Sequence, residues 1–186
     1  MFSGKRHKKQ GKITGAPARL GAVIAAVAAA WFAYSQNGSA GSTATPDTLV
    51  CTISSVHDGD SLRASCPGQK DSLKVRLHQI DAPELDQKHG IASRDVLRNL
   101  CRRGEPVELV VTGTDQYDRL LADARCAGKD VATTMVAEGA AWVYAQYVRD
   151  KTLLSVQERA QSARAGLWND NAPTAPWEHR REQRRQ

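Results

Sequence analysis

The strongest constraint on the fold is an alternation of apolar and polar residues that recurs between residues 49 and 126. Alternation with a period of two indicates β-strands that bury one face. A pattern with helical spacing interrupts the strands once, at residues 91–102. Strands are predicted at 49–56, 61–66, 72–80, 106–112 and 120–126. The sequence therefore predicts a small domain built mainly from strands, with one helix inserted between the third and the fourth.

Two further helical patterns follow the strands, at residues 131–138 and 151–165, and a glycine ends each of them. Five strands with a helix after the third match the small five-stranded barrel known as the OB-fold. We therefore predict an α+β domain at 50–168, an OB-fold β-barrel with three helices. The Pro- and Arg-rich tail, residues 169–186, is expected to be extended and mobile, with Trp177 as its candidate for docking.

The N-terminal segment has the composition of an export signal. Residues 1–19 carry six basic residues and no acidic one, and residues 20–34 form an uncharged run, LGAVIAAVAAAWFAY. Residues 35–49 are rich in Ser, Gly, Ala and Thr, which is typical of a flexible linker. The order of basic, apolar and small residues is the signature of export. We therefore predict an N-terminal apolar helix at 20–34 that precedes the barrel.

The apolar segment allows two outcomes, a cleaved signal or a retained anchor. Small residues would permit cleavage after Ser35 or after Ala40. The long basic region favours an anchor, and so do Trp31 and Tyr34, which lie where an interfacial aromatic belt forms. Both outcomes place the domain outside the cytoplasm, in the periplasm or secreted. We expect it to be tethered to the cytoplasmic membrane by residues 20–34.

All four cysteines follow the apolar segment, and they are Cys51, Cys66, Cys101 and Cys126. An even number of cysteines, confined to the exported part, predicts two disulfide bonds in an oxidising compartment. No pair has the Cys-x-x-Cys spacing of a zinc ribbon or a thioredoxin-type site. The first two cysteines bracket a predicted hairpin. We therefore pair Cys51 with Cys66, which leaves Cys101 with Cys126.

The net charge of +6 suggests an acidic partner, but the excess is unevenly distributed. Residues 1–50 carry +5 and residues 178–186 carry +2. The remaining residues, 51–177, hold 16 basic and 17 acidic side chains. Binding of nucleic acid by this domain would therefore depend on a few placed groups and a bound cation rather than on a basic surface.

Three short segments carry the candidate chemistry, VHDGDS at 56–61, VRLHQIDAPE at 75–84 and DQYDR at 115–119. Each alone is a weak signal. Together they supply two carboxylates at the ends of neighbouring strands, which suit a hard divalent cation. A third carboxylate after Pro83 suits activation of a water molecule, and two arginines suit a phosphate. These groups are the ones that phosphodiester hydrolysis requires.

In this order and spacing, the three segments resemble the thermonuclease family, typified by staphylococcal nuclease. The similarity runs over residues 50–168. It implies an OB-fold nuclease that depends on Ca²⁺ and cleaves DNA and RNA endonucleolytically, leaving 3′-phosphate ends. A monomer without a protein partner is expected, bound to a membrane only if the N-terminal segment stays uncleaved.

The resemblance also implies a role for each matching residue. The implied calcium ligands are Asp60, Asp81 and the carbonyl of Ala82, with Asp58 near the metal in an outer role. The implied catalytic residues are Glu84, as general base or positioner of water, and Arg76 and Arg119, which would bind the phosphate. The implied nucleotide contacts are Tyr117 and Tyr147.

The sequence departs from the family pattern at three places. Asp118 stands where the family usually has Gly, Ala145 replaces a tyrosine, and the loop 85–89 is short. An Asp tolerates a left-handed turn, but its charge beside Arg119 is expected to weaken phosphate binding. The alternative function is therefore a weak or inactive nuclease-like module that binds nucleic acid or an envelope partner. The presence of all five central metal and catalytic side chains favours the enzyme.

Overall fold

The computed structural model describes residues 48–149 and 151–186. The predicted basic region, the apolar helix at 20–34 and nearly all of the linker lie outside these residues. Among the helices that are described, none is long and apolar enough to cross a membrane.

Eight strands and four α-helices make up the described chain. The strands are β1 (Thr48–Val56), β2 (Ser61–Ser65), β3 (Leu73–Leu77), β4 (Ile80–Asp81), β5 (Pro106–Thr114), β6 (Leu120–Cys126), β7 (Lys129–Asp130) and β8 (Trp142–Val143). The helices are α1 (Gly90–Leu100), α2 (Val131–Ala137), α3 (Thr152–Ser162) and α4 (Pro176–Gln183), with a 3-10 turn at Gly166–Asn169.

Five of the strands close into a barrel, which confirms the predicted α+β OB-fold. The sheet has the order β3-β2-β1-β5-β6-β7, and β3 also pairs with β6 in parallel. That last pairing, with Val75 opposite Leu120, joins the two sides of the sheet. Alternate residues point inward, and Ile53, Leu62 and Leu109 are fully buried in the core. Burial of such side chains contributes about 1.5–3 kcal/mol each to folding.

The third strand pattern of the sequence proves to be interrupted. The predicted strand 72–80 divides into β3 and β4, because Gln79 adopts a left-handed conformation with φ of 69°. The short β4 then pairs with β8, which places Asp81 opposite Trp142. The bend also brings the carbonyl of Ile80 to the guanidinium of Arg76.

The tail forms a helix, where an extended segment was expected. Pro176 begins α4, where a missing amide hydrogen is tolerated, and Glu178 lies in its first turn. Trp177 anchors the helix, since its ring lies parallel to that of Tyr144 at 5.6 Å and edge-on to that of Trp142 at 5.7 Å. The described chain therefore has four α-helices, one more than the sequence predicted.

Both predicted disulfide bonds are present. Cys51 is bonded to Cys66 across β1 and β2, and Cys101 at the end of α1 is bonded to Cys126 at the end of β6. The described chain has no free cysteine. The second bond fixes the inserted helix to the barrel.

Candidate active site

The first candidate ligand, Asp60, lies in the tight turn between β1 and β2. Its amide donates to Oδ1 of Asp58 at 3.0 Å, which stabilises the turn. A Cβ atom at Gly59 would collide with the side chain of Ser93 and lie 2.7 Å from the Cβ of Ala82. Only glycine fits between these neighbours. The turn is therefore packed tightly against α1, and the carboxylate of Asp60 is held in a buried position.

The second candidate ligand, Asp81, is completely buried, and Arg76 connects it to Asp60. Nη2 of Arg76 lies 2.8 Å from Oδ1 of Asp81 and 3.1 Å from Oδ2 of Asp60. Nη1 of the same guanidinium donates to the carbonyls of Leu77 at 2.7 Å and Ile80 at 2.8 Å. Arg76 is therefore fixed by four acceptors at the point where the two carboxylates meet.

Ala82 is bound to the site through its amide nitrogen, which donates to Oδ2 of Asp60 at 2.7 Å. The other carboxylate oxygen of Asp60 accepts from the hydroxyl of Ser61 at 3.0 Å. Ala82 thus joins the end of β4 to the turn after β1. The role of its carbonyl as a metal ligand stays a prediction.

Glu84 lies on the loop that connects β4 to α1. Its carbonyl accepts from the amide of Gln87 at 2.9 Å, which folds the loop into a turn. A Cβ atom at Gly90 would collide with that same carbonyl, so the start of α1 lies directly against the loop. The carboxylate of Glu84 is about one-third exposed, with a relative accessibility of 35%. It is therefore more accessible to solvent than the carboxylates of Asp60 and Asp81.

A fifth charged side chain belongs to the cluster, and sequence reasoning missed it. Arg180 of α4 donates through Nη2 to Oδ2 of Asp81 at 2.7 Å and through Nη1 to Oδ1 at 3.2 Å. Its Nη1 also donates to Oε1 of Glu84 at 2.7 Å. Nothing in the run EHRREQRRQ marks this arginine among its neighbours. Pro176 and Glu178 were the available signals for the helix that carries it.

Burial and the two arginines oppose each other in setting the charges. Burial raises the pKa of Asp81, and the hydrogen bond from Arg180 and the charge of Arg76 oppose that rise. Burial, reinforced by the charge of Asp60, raises the pKa of Asp58 to about 6. Burial disfavours the charge of Arg180, but its hydrogen bonds to Asp81 and Glu84 outweigh this and raise its pKa. The guanidinium therefore stays fully charged beside the carboxylates.

The third segment forms the turn between β5 and β6. Oδ1 of Asp115 accepts from the amides of Tyr117 at 2.9 Å and Arg119 at 3.0 Å, and its Oδ2 accepts from Nε of Arg119 at 2.8 Å. Asp118 has a left-handed φ of 55°, so the substitution for glycine is accommodated. The carboxylate that binds the guanidinium of Arg119 is therefore Asp115, not Asp118. The structure does not bring Arg119 into hydrogen-bond contact with Asp60, Asp81 or Glu84.

The two predicted nucleotide contacts are exposed tyrosines outside the carboxylate cluster. Tyr117 has a relative accessibility of 64%, and the guanidinium of Arg119 lies 5.6 Å from its ring centroid. Tyr147 is half exposed, and its ring lies edge-on to that of Tyr144 at 4.9 Å. Exposed aromatic faces are suited to stacking with bases. Their roles in binding stay predictions.

The carboxylate oxygens of the site are suited to a hard cation, although they do not surround a single point. Within the described residues, no three His, Cys, Asp or Glu side chains are grouped closely enough to hold a metal ion. Asp60 and Asp81 nevertheless share one guanidinium nitrogen, and Asp81 and Glu84 share another. Carboxylate oxygens are the ligands that Ca²⁺ prefers. These three carboxylates already bind cationic side chains, so the site is one that attracts positive charge.

Comparison with known protein families matches the part of the chain that carries most of these residues. Residues 74–170 match the family described as staphylococcal nuclease homologue. The chain belongs to the staphylococcal nuclease family. The matched residues include Asp81, Glu84 and both arginines of the sequence motifs, Arg76 and Arg119, while the turn that carries Asp60 precedes them.

Relatives in this family come from bacteria and plants. The chain is 39% identical over 135 residues to a Haemophilus influenzae protein named "uncharacterized endonuclease", covering 73% of this chain and 75% of that one. It is 37% identical over 123 residues to an Escherichia coli O157:H7 protein with the same name, covering 66% of this chain and 78% of that one. The Arabidopsis thaliana protein named "staphylococcal-like nuclease CAN1" is 33% identical over 112 residues, covering 60% of this chain and 34% of that one. The predicted resemblance to the family is thus confirmed.

Proposed function

We propose that this chain is an exported, calcium-dependent nuclease that cleaves phosphodiester bonds within DNA and RNA and leaves 3′-phosphate ends. The relatives named endonuclease and staphylococcal-like nuclease support a nuclease. The observation that carries the proposal is the convergence of three carboxylates, one from the turn after β1 and two from β4 and the loop that follows it. Asp60, Asp81 and Glu84 meet around the guanidinium groups of two arginines, Arg76 and Arg180.

In this mechanism Asp60 and Asp81, with the carbonyl of Ala82, would hold the calcium ion. When bound, the ion would neutralise charge on the phosphate and lower the pKa of a water molecule. The carboxylate of Glu84 is partly exposed to solvent, so it is suited to orient or deprotonate the attacking water. Asp58 lies in the same turn as Asp60 and accepts a hydrogen bond from its backbone amide.

The arginines would supply the positive charge that the transition state requires. Arg76 is held in one orientation by its carbonyl and carboxylate acceptors, so little reorganisation is needed when a phosphate binds beside it. Arg119, held by Asp115 in the turn between β5 and β6, would bind the phosphate and assist the leaving oxygen. Tyr117 and Tyr147 offer exposed rings to the flanking nucleotides.

Export is supported by the two disulfide bonds, because such bonds persist in oxidising compartments. The near-neutral charge of residues 51–177 supports weak, salt-sensitive binding of substrate, with cleavage that depends on the ion. Tethering by residues 20–34 belongs to the same proposal. Fractionation of cells that carry the full-length chain tests it, and recovery in the cytosol would contradict export.

The activity is tested with the oxidised full-length chain, single-stranded DNA and RNA, in calcium or in chelator. We expect cleavage only with calcium, and products with 5′-hydroxyl ends that polynucleotide kinase labels without prior dephosphorylation. Glu84→Gln is expected to lower the rate by at least about 100-fold, since it removes the base. Glu105→Gln, on an exposed turn, is the matched control and should cleave normally. An equal rate in Glu84→Gln, or cleavage in chelator, would refute this mechanism.

A further inference from the structure

We propose that the C-terminal segment 170–183 is an intramolecular inhibitor that must leave the site before a divalent cation binds there. The inference rests on the proposed function, since it concerns the same carboxylates. Arg180, which lies 99 residues from Asp81 in the sequence, binds both oxygens of that buried carboxylate. The segment therefore places the positive charge of Arg180 on a carboxylate that the proposed mechanism assigns to the calcium ion.

The geometry makes Arg180 and a bound divalent cation alternatives. Both Asp81 oxygens already accept hydrogen bonds from Arg180, and the same guanidinium donates to Oε1 of Glu84 at 2.7 Å. A divalent ion on Asp81 would lie against this fixed positive charge, in a largely buried setting where repulsion is strong. Arg76 differs, because it binds Asp81 through one nitrogen only and is anchored by two carbonyls of its own segment. Arg180 is therefore the group that would be displaced.

The segment also fastens the loop that carries Glu84. Asp86 accepts from Nε2 of Gln183 at 2.6 Å and lies 3.3 Å from Nε2 of His179. Asp170 binds the other end of the loop, with Oδ1 2.6 Å from Nζ of Lys88 and Oδ2 2.8 Å from Nε2 of His89. These side chains are mostly solvent-exposed ion pairs and hydrogen bonds, each of small net worth. Several contacts thus hold the segment on the loop, but each is weak enough for the segment to undock.

Aromatic contacts of the segment cover a surface that would suit a base. The ring of Trp177 lies parallel to that of Tyr144, at 5.6 Å and 6°. Tyr144 in turn touches Tyr147, a predicted nucleotide contact. Stacking of bases on aromatic faces is a common way to hold single-stranded nucleic acid. The docked segment therefore covers the face of Tyr144 and the carboxylates of the metal site at once.

Calcium titration calorimetry on the full-length chain tests the inference without relying on cleavage. Arg180→Ala removes the competing cation, and Trp177→Ala loosens the segment without touching a carboxylate. Both are expected to bind calcium about tenfold more tightly than the unaltered chain, because the open form becomes more populated. Arg181→Ala, exposed on the same helix, is the matched control and should bind calcium with unchanged affinity.

Limited trypsin digestion supplies a second readout. Cleavage after Arg180 and Arg181 is expected to be slow in chelator and several-fold faster in calcium, since undocking exposes α4. Unchanged calcium affinity in either Arg180→Ala or Trp177→Ala, or equal digestion with and without calcium, would overturn the inference. A lower rate of cleavage by Arg180→Ala at saturating calcium would also overturn it, because Arg180 would then serve the reaction.

The two proposals fail separately in these assays. Tighter calcium binding by both variants, with no cleavage of nucleic acid by any form, would uphold the inhibitory segment and refute the nuclease mechanism. Calcium-dependent cleavage with identical calcium affinities across all four proteins would uphold the nuclease and refute the segment's role.

Discussion

Replacing Arg76 by alanine would remove the side chain that joins the two buried carboxylates. Its guanidinium is largely buried, with 13% accessibility, and it pairs with Asp60 and with the fully buried Asp81. Loss of one partner of a buried ion pair costs about 3–5 kcal/mol, because the remaining charge stays buried without compensation. Arg180 continues to compensate Asp81, so the lower end of that range applies. We therefore expect the free energy of unfolding to fall by about 3 kcal/mol in the absence of calcium.

Urea denaturation of the oxidised chain, followed by tryptophan fluorescence, measures this loss. With a denaturant slope of about 2 kcal/mol per molar, the midpoint should fall by about 1.5 M. Calcium should restore part of the difference, since an ion on Asp60 and Asp81 compensates the buried charges that Arg76 no longer pairs with. Arg63→Ala, an exposed arginine on β2, is the control and should change the stability by less than about 0.5 kcal/mol. A loss below about 1 kcal/mol for Arg76→Ala would show that the carboxylates do not depend on Arg76.

Three further predictions concern the supports of the site. Asp115→Ala removes three hydrogen bonds of the β5–β6 turn, so the free energy of unfolding should fall by about 2 kcal/mol, as urea unfolding measures. The same change releases Arg119, so the initial rate of cleavage should also fall. Gly59→Ala forces a Cβ against Ser93 and should cost about 2 kcal/mol, whereas Gly113→Ala, with open space around it, should cost almost nothing; unchanged melting of the first would contradict the packing. Reduction of both disulfides should destabilise the domain by about 3 kcal/mol for each bond, seen as lower melting temperatures in reductant.

The strands were predictable because each buries one face of a barrel. Ile53, Leu62 and Leu109 each belong to a strand in which apolar residues alternate with polar ones, and all three are buried in the core as expected. The β4–β8 pairing was not predictable, since two-residue strands have no periodicity to detect. The bend at Gln79 was missed for a related reason, because a left-handed glutamine has no sequence signal of the kind that glycine gives.

The proximity of Asp60, Asp81 and Glu84 was predictable from motif order, while their roles stay predictions. The contacts of the arginines in the site were not predictable. Which carboxylate binds Arg119 depends on the conformation of one turn, and the nearer charge in the sequence, Asp118, proves not to be the partner. Arg180 was hidden because long-range ion pairs are set by tertiary packing. Only the docking of α4 through Trp177 brings it to the carboxylates.

The connectivity of the disulfides bears on how such a chain would fold after crossing a membrane. Each bond joins cysteines that are adjacent in the order of the sequence, Cys51 with Cys66 and Cys101 with Cys126. In the export that we propose, the domain leaves the translocation channel beginning with β1, so the first pair is presented before either later cysteine. Oxidation in the order of emergence then yields the native pairs, without the exchange steps that non-consecutive pairings need. A strong oxidase without a disulfide isomerase should therefore suffice for its maturation.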